Sequence, residues 1–303
     1  MIKVLLTDTL NPKAIELLNE IPEFEAIVRS GLTERELKSE IKHYEALVVD
    51  GTTIINKEIL ENADHLKIIV RTGIGLENID VAAAAKRNID VKDTPLATVI
   101  TAAEYTLAQM LGVCRTIAPA YASMKAHKWE KDVFSKGMEL YGKTAGIIGM
   151  GRVGMELAKR LLALGMKVLY YDICDIQTDS DARQTSFDQL LRKSDIISIH
   201  LPLNDSTRNL IATDAFKKMK PGTILVNVSS GGIVDEAALA KAFEKGKIKA
   251  AALDVFEHEP PQNFDLIDNE KIFPSPHLCT STVEAQERAE LEAISILKEF
   301  FNA

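Results

Sequence analysis

Gly149, Gly151 and Gly154 stand in the spacing G-x-G-x-x-G, between the apolar run Ala145-Gly146-Ile147-Ile148 and a stretch after Gly154 whose apolar residues recur at helical intervals. In a strand-to-helix turn of this kind the first glycine makes the tight turn, and the second lets the backbone approach a pyrophosphate. The third lets helix and strand pack closely, and the phosphates meet the free N–H groups at the helix N-terminus. The next apolar run, Lys167 to Tyr171, delivers Asp172 about 20 residues on, where a dinucleotide site needs an acceptor for ribose hydroxyls. No Arg or Lys follows Asp172 for several residues, so a 2′-phosphate would be repelled, and the expected cofactor is NAD rather than NADP. The plainer alternative, a tight turn plus a strand-end cap, treats motif, strand, helix and acid as coincidences.

The elements that must position these residues follow from hydrophobic periodicity. Strands are expected at Val4–Leu6, Phe24–Val28, Glu45–Val49, Leu66–Val70 and Ile89–Val91. Helical stretches at Pro12–Leu18, Lys57–Glu61 and Val81–Arg87 alternate with them, and Thr33-Glu34-Arg35-Glu36 reads as a capping box opening another helix. After Pro95 a helix from about Thr101 to Thr116 buries one face, and residues 122–141, polar with one tryptophan, Trp129, read as a surface arm. Strands at Gly146–Ile148, Val168–Tyr171, Ile196–Ile199, Ile224–Val228 and Ala250–Leu253 follow, then a last helix at Val283–Phe301. The alternation predicts an α/β fold of doubly wound parallel sheets, with ligands outside the carboxyl ends of the strands.

The 303 residues suffice for more than one domain, and their charged and apolar fractions are those of a globular protein with no bilayer-spanning run. A net charge of −8 argues against nucleic acid or an anionic membrane as partner. The first residues turn acidic at Asp8, too soon for a signal peptide. The 3 cysteines are too few and scattered for a disulfide framework or zinc site, so a reducing cytoplasm is expected.

Further segments resemble the D-isomer-specific 2-hydroxyacid dehydrogenases, and within them the 3-phosphoglycerate dehydrogenase-like members. They are Gly142-Lys143-Thr144 with the glycine motif, Met219-Lys220-Pro221-Gly222 before Val226-Asn227-Val228, and Gly231-Gly232-Ile233-Val234-Asp235-Glu236. Leu253-Asp254-Val255-Phe256-Glu257-His258-Glu259-Pro260 and Ser275-Pro276-His277 complete them, in order, from about residue 45 onward. The resemblance implies two Rossmann-like doubly wound parallel-sheet domains: a flavodoxin-like substrate domain at residues 1–97, with 284–303 packing back on it, and an inserted NAD-binding domain at 98–283. It also implies a cleft between them, a homodimer formed largely through the NAD domains, a place in serine biosynthesis, and a short form without the regulatory domain of some long members.

For the site, the resemblance makes His277 the acid/base residue that takes and returns the hydroxyl proton of a hydroxy acid or keto acid, with Glu259 paired to it. Asp254 would orient the nicotinamide carboxamide or act as a turn cap. Arg152 and Val153 would lie along the pyrophosphate. His200, Pro202 and Thr207 would cover the adenosine side or be ordinary turn structure. Val228, Ser229, Ser230, His277 and Thr280 complete the implied cofactor contacts. For the substrate, backbone N–H groups of Gly73-Ile74-Gly75 would hold a carboxylate, and Arg71 would add a positive charge or serve as an ion-pair partner; Asp50 and Thr98 are the other substrate positions.

This chain also departs from the family pattern. Where the family reads Asn-x-x-Arg-Gly, it has Asn227-Val228-Ser229-Ser230-Gly231, and serine cannot make the bidentate, charge-assisted pair of the family arginine. Asp50 replaces a second arginine, Thr98 stands where Asn is common, and Cys279-Thr280 replace two small residues after the histidine. Cys279 is either a reactive thiolate or a packing residue. The expectation is a retained NAD site with altered substrate identity. The alternative is a weakly active or regulatory NAD(H)-binding homologue.

Overall fold

The computed structural model describes residues 1–8, 11–262 and 264–303. They divide into two compact units, Met1–Val99 with Thr280–Ala303, and Ile100–Cys279.

In the first unit, β1 (Ile2–Leu6), β2 (Phe24–Val28), β3 (Ala46–Val49), β4 (Ile68–Arg71) and β5 (Asp90–Asp93) form one parallel sheet in the order β2-β1-β3-β4-β5. This is the flavodoxin-like order. Strand side chains alternate between the two faces, and the central strands are apolar on both, so each face needs a cover. Leu5, Leu47, Val49 and Ile69 pack with Leu37, Ile59, Leu60 and Ala84 on one side. Val4, Leu6, Val48 and Val70 pack with Leu18 and with Ala293 and Leu297 of the helix Val283–Phe301 on the other. The capping box forms: Glu36 accepts the Thr33 N–H at 2.8 Å, and the Glu36 N–H reaches Thr33 Oγ1 at 3.4 Å.

In the second unit, β6 (Thr144–Ile148), β7 (Lys167–Tyr171), β8 (Arg183–Gln184), β9 (Ile196–Ile199), β10 (Thr223–Asn227), β11 (Ile248–Leu253) and β12 (Ile272–Pro274) pair in parallel in the order β12-β11-β10-β9-β6-β7-β8. Strand β6 pairs with both β7 and β9, so the winding reverses there, and the crevice beyond its carboxyl end is the expected ligand position. Ala145, Ile147 and Val168 pack on Leu157, Ala158 and Leu161 of the helix Arg152–Ala163. Ile148, Ile197 and Leu225 bury the opposite face.

Three details differ from the sequence reading. Helix Ile117–Lys125 runs into the polar arm and helix Lys131–Phe134 lies within it, and Ile117, Tyr121, Met124 and Val133 are exposed, so burial leaves no clear periodicity. The edge strands β8 and β12 are too short to announce themselves by pattern. The helix expected from Thr101 begins at Val99 and ends at Cys114. Among the described residues no helix is long and apolar enough to cross a membrane, and no group of His, Cys, Asp and Glu could hold a metal ion.

Candidate active site

The glycine loop gives each glycine a separate task. Gly149 has φ +95, and a side chain there would overlap the His200 carbonyl. A side chain at Gly154 would overlap the Gly149 carbonyl, so the helix can lie this close only without one. At Gly151, by contrast, a Cβ would meet open space. No side chain caps the helix Arg152–Ala163, and the first bond of its turn is Met155 N–H to the Gly151 carbonyl. The N–H groups of Arg152, Val153 and Gly154 therefore have no partner among the described residues. An uncapped helix start beside open space is what a diphosphate requires. Asp172, at the end of β7, accepts the Met150 N–H on Oδ2 at 2.8 Å and the Cys174 N–H on Oδ1 at 3.0 Å. It pins the glycine loop while each oxygen keeps a lone pair for a ribose hydroxyl. These residues fit a dinucleotide.

Beyond β9, His200 lies 2.8 Å by Nε2 from Ser198 Oγ. Burial pushes its ring down to about 4, so it is neutral at pH 7. Thr207 Oγ1 donates to the Pro202 carbonyl at 2.7 Å and accepts the Asn204 N–H at 2.8 Å, which closes the turn after Pro202.

At the end of β10, buried Asn227 organises the next loop. It donates from Nδ2 to the Ser230 carbonyl at 3.0 Å and accepts from the Ser229 N–H at 3.2 Å and its hydroxyl at 2.9 Å. Val228 is buried, and its carbonyl accepts the Cys279 thiol at 3.2 Å. The half-buried Ser230 side chain has no hydrogen-bond partner among the described residues. A side chain at Gly231 would overlap the Phe256 carbonyl, so this loop must pass as glycine.

The carboxyl ends of β11 and β12 bring the acid/base candidates together. His277 Nδ1 lies 2.7 Å from Glu259 Oε2, while Glu259 Oε1 accepts the Phe256 N–H at 3.0 Å. With Nδ1 taken by the carboxylate, Nε2 is the nitrogen left to face a ligand. The side chains are 53% and 35% exposed, so the pair contributes little stability and its geometry matters for chemistry instead. Asp254 has 0% exposure. Its Oδ1 accepts from Ser275 Oγ at 2.6 Å, the Leu278 N–H at 2.9 Å and the Tyr105 hydroxyl at 3.2 Å; its Oδ2 accepts the Cys279 N–H at 2.8 Å. Cys279 is a packing residue rather than a reactive thiolate: burial, with the Asp254 charge beside it, pushes its thiol up to about 12.

The first unit holds the positions expected for substrate. The Gly73-Ile74-Gly75 turn is more occupied than the sequence suggests. The Gly73 N–H donates to Thr94 Oγ1 at 2.6 Å and the Gly75 N–H to Asp93 Oδ2 at 3.0 Å, which leaves the Ile74 N–H for an anion. Arg71 Nη1 donates to the Ile74 carbonyl, and its Nη2 would lie 2.8 Å from a Cβ at Gly51. Its Nε is buried without a partner, and no carboxylate pairs with it, among the described residues. Asp50 turns one oxygen into its own loop, accepting the Thr52 N–H at 2.6 Å and its hydroxyl at 2.7 Å. Thr98 is buried, with its hydroxyl unpartnered among the described residues. Thr280, whose carbonyl accepts the Thr282 N–H at 3.2 Å, also belongs to this unit.

Sequence reasoning missed Tyr105, Gln109 and Ser275. The available signal was a pair of polar residues four apart on an apolar helix.

Residues 107–279 match the family model described as D-isomer specific 2-hydroxyacid dehydrogenase, NAD binding domain. The chain is 41% identical over 293 residues to a D-3-phosphoglycerate dehydrogenase of Methanocaldococcus jannaschii, covering 95% of this chain but 55% of that protein. It thus spans about half the length of that relative. It is 42% identical over 301 residues to a hydroxypyruvate reductase of Thermotoga maritima, covering 98% of each. Its structure superposes on a D-lactate dehydrogenase of Aquifex aeolicus complexed with NAD and lactic acid, with a TM-score of 0.80, 28% identity and coverage of 99% of this chain and 95% of that one. A strand order that reverses beside a glycine loop, and relatives matching along nearly the whole sequence, lead to one conclusion: this chain belongs to the D-isomer specific 2-hydroxyacid dehydrogenase family, and its second unit is the family's NAD-binding domain.

Proposed function

We propose that this protein is an NAD-dependent oxidoreductase acting on the CH–OH group of a small D-2-hydroxy acid and, in reverse, on the matching 2-keto acid. The observation that carries the reading is the 2.7 Å pairing of His277 Nδ1 with Glu259, on loops that follow strands of the same parallel sheet as the glycine loop. Gly149, Gly151, Arg152, Val153 and Gly154 hold the diphosphate, and Asp172 accepts the adenosine ribose. His200, Pro202 and Thr207 lie on the adenosine side; Val228, Ser229, Ser230, Asp254 and Thr280 complete the cofactor contacts. NAD supplies the hydride acceptor and, when reduced, the donor. His277 Nε2 takes the hydroxyl proton as the alcohol is oxidised and returns it as the ketone is reduced, while Glu259 fixes the ring through Nδ1.

Arg71, the Ile74 N–H, Gly75, Asp50 and Thr98 form the substrate side, where the positive charge of the Arg71 guanidinium, with no carboxylate partner among the described residues, supports an anionic substrate. Relatives are named for 3-phosphoglycerate and hydroxypyruvate, and a short acid of that kind is the substrate class we assign. Ser230 supports a second reading, a weakly active or regulatory NAD(H)-binding protein. Reduction of a panel of 2-keto acids, with NADH binding followed by fluorescence, separates the two. Turnover supports the enzyme, binding without turnover supports the second reading, and failure to bind NADH refutes both.

A homodimer is part of the proposal. It is supported by the arm of the second unit, where Tyr121, Trp129 and Val133 are 66%, 79% and 67% exposed. The free thiols of Cys114, Cys174 and Cys279 support a reducing, cytoplasmic location.

A further inference from the structure

A buried carboxylate is tolerated only when donors replace the water it has lost. Two of the donors to Asp254, the Leu278 and Cys279 N–H groups, belong to the loop that carries His277. The His277 N–H itself donates to the Asp254 carbonyl at 2.9 Å, and His277 has φ +53, a left-handed conformation that a non-glycine residue keeps only when its surroundings impose it. Asp254 therefore holds the backbone on both sides of the histidine.

The rest of the network leads to the helix Val99–Cys114. Gln109 Nε2 donates to Ser275 Oγ at 2.8 Å and to the Tyr105 hydroxyl at 3.2 Å. Each hydroxyl has one proton, and with Gln109 occupying an acceptor position both direct that proton to Asp254 Oδ1. Burial raises the Tyr105 phenol above its ordinary value and so keeps it a donor. A Tyr–Gln pair one helical turn apart thus reaches, through a serine and an aspartate, the backbone that presents the imidazole.

We propose that Tyr105 and Gln109 are positioning residues for His277: through Ser275 and Asp254 they hold the loop 275–279 in the backbone conformation that sets the imidazole against Glu259. The kinetic part rests on His277 being the acid/base group; the structural part does not.

The test uses Ser275→Ala, Tyr105→Phe combined with Gln109→Leu, and Ser275→Thr as the conservative control. In the protein without cofactor, amide exchange at Leu278 and Cys279 should be about tenfold faster in the first two and unchanged in the control. In the same two variants kcat should fall about tenfold while the NADH Kd stays within about twofold, because the glycine loop and Asp172 are untouched; Ser275→Thr should restore kcat. Unaltered exchange overturns the proposal, and so does a joint loss of kcat, NADH binding and thermal stability, which would mark a general packing role. If the wild-type protein reduces no keto acid, the functional reading fails, and the exchange measurement still decides whether this network holds the loop.

Discussion

Ser230→Arg replaces a side chain that makes no hydrogen bond among the described residues. What residue 230 contributes to the loop is its carbonyl, which accepts Asn227 Nδ2 at 3.0 Å and is common to both side chains. The cost to the fold should therefore be small, about 1 kcal/mol, for a larger side chain at a half-buried loop position. The gain is of another order. A charged donor placed where negative charge develops on a carbonyl oxygen is worth about 3 kcal/mol, roughly a hundredfold in rate. Measured as NADH-dependent reduction of hydroxypyruvate or glyoxylate, kcat/KM should rise by about that factor. If the arginine grips the substrate carboxylate equally in ground and transition states, the gain appears as a lower KM; if it polarises the carbonyl, it appears as a higher kcat. A variant that binds NADH and melts like the wild type, yet shows no rise in kcat/KM, would refute the reasoning and move weight to a regulatory role.

Other consequences can be checked separately. Gly231→Ala would drive a methyl group into the Phe256 carbonyl, and a loss above about 4 kcal/mol is expected, read as insoluble or unfolded protein in a denaturant titration. Iodoacetamide at pH 8 should label exposed Cys174 and spare Cys279 and Cys114, whose thiols burial pushes up to about 12 and about 11; rapid labelling of Cys279 would contradict its place as a packing residue. Burial raises the Glu290 carboxyl above 4.5, so the folded chain keeps that proton past the pH at which the unfolded chain releases it. The resulting penalty is absent in acid and grows as pH rises through the unfolded value. Glu290→Gln, which keeps an acceptor for the Asn11 N–H, should raise Tm at pH 7 and leave it unchanged well below 4.5.

Residues whose roles depend on local backbone were legible in the sequence. The glycine loop and the capping box at Thr33 rest on turn geometry and helix starts, which short spacings encode. The central strands were legible because burial on both faces forces continuous apolar runs such as Ala46–Val49. Contacts across long separations were not. Tyr105 and Asp254 are 149 residues apart, Gln109 and Ser275 166 apart, and no periodicity marks such pairs. The Gly73 and Gly75 N–H groups look free in sequence because their acceptors, Thr94 and Asp93, arrive only when β5 is laid beside β4. The pairing of His277 with Glu259 came from the family resemblance rather than from spacing.

In the proposed reaction His277 moves the hydroxyl proton on the oxygen borne by the carbon that gains or loses hydride. Reduction of a 2-keto acid with NADH deuterated at the transferred position isolates that step. Wild-type protein should place deuterium at C2 of a D-2-hydroxy acid, and His277→Ala should lower that product by at least about a hundredfold while NADH binding persists. Deuterium transfer at the wild-type rate in His277→Ala, or an L-hydroxy acid as product, would contradict it.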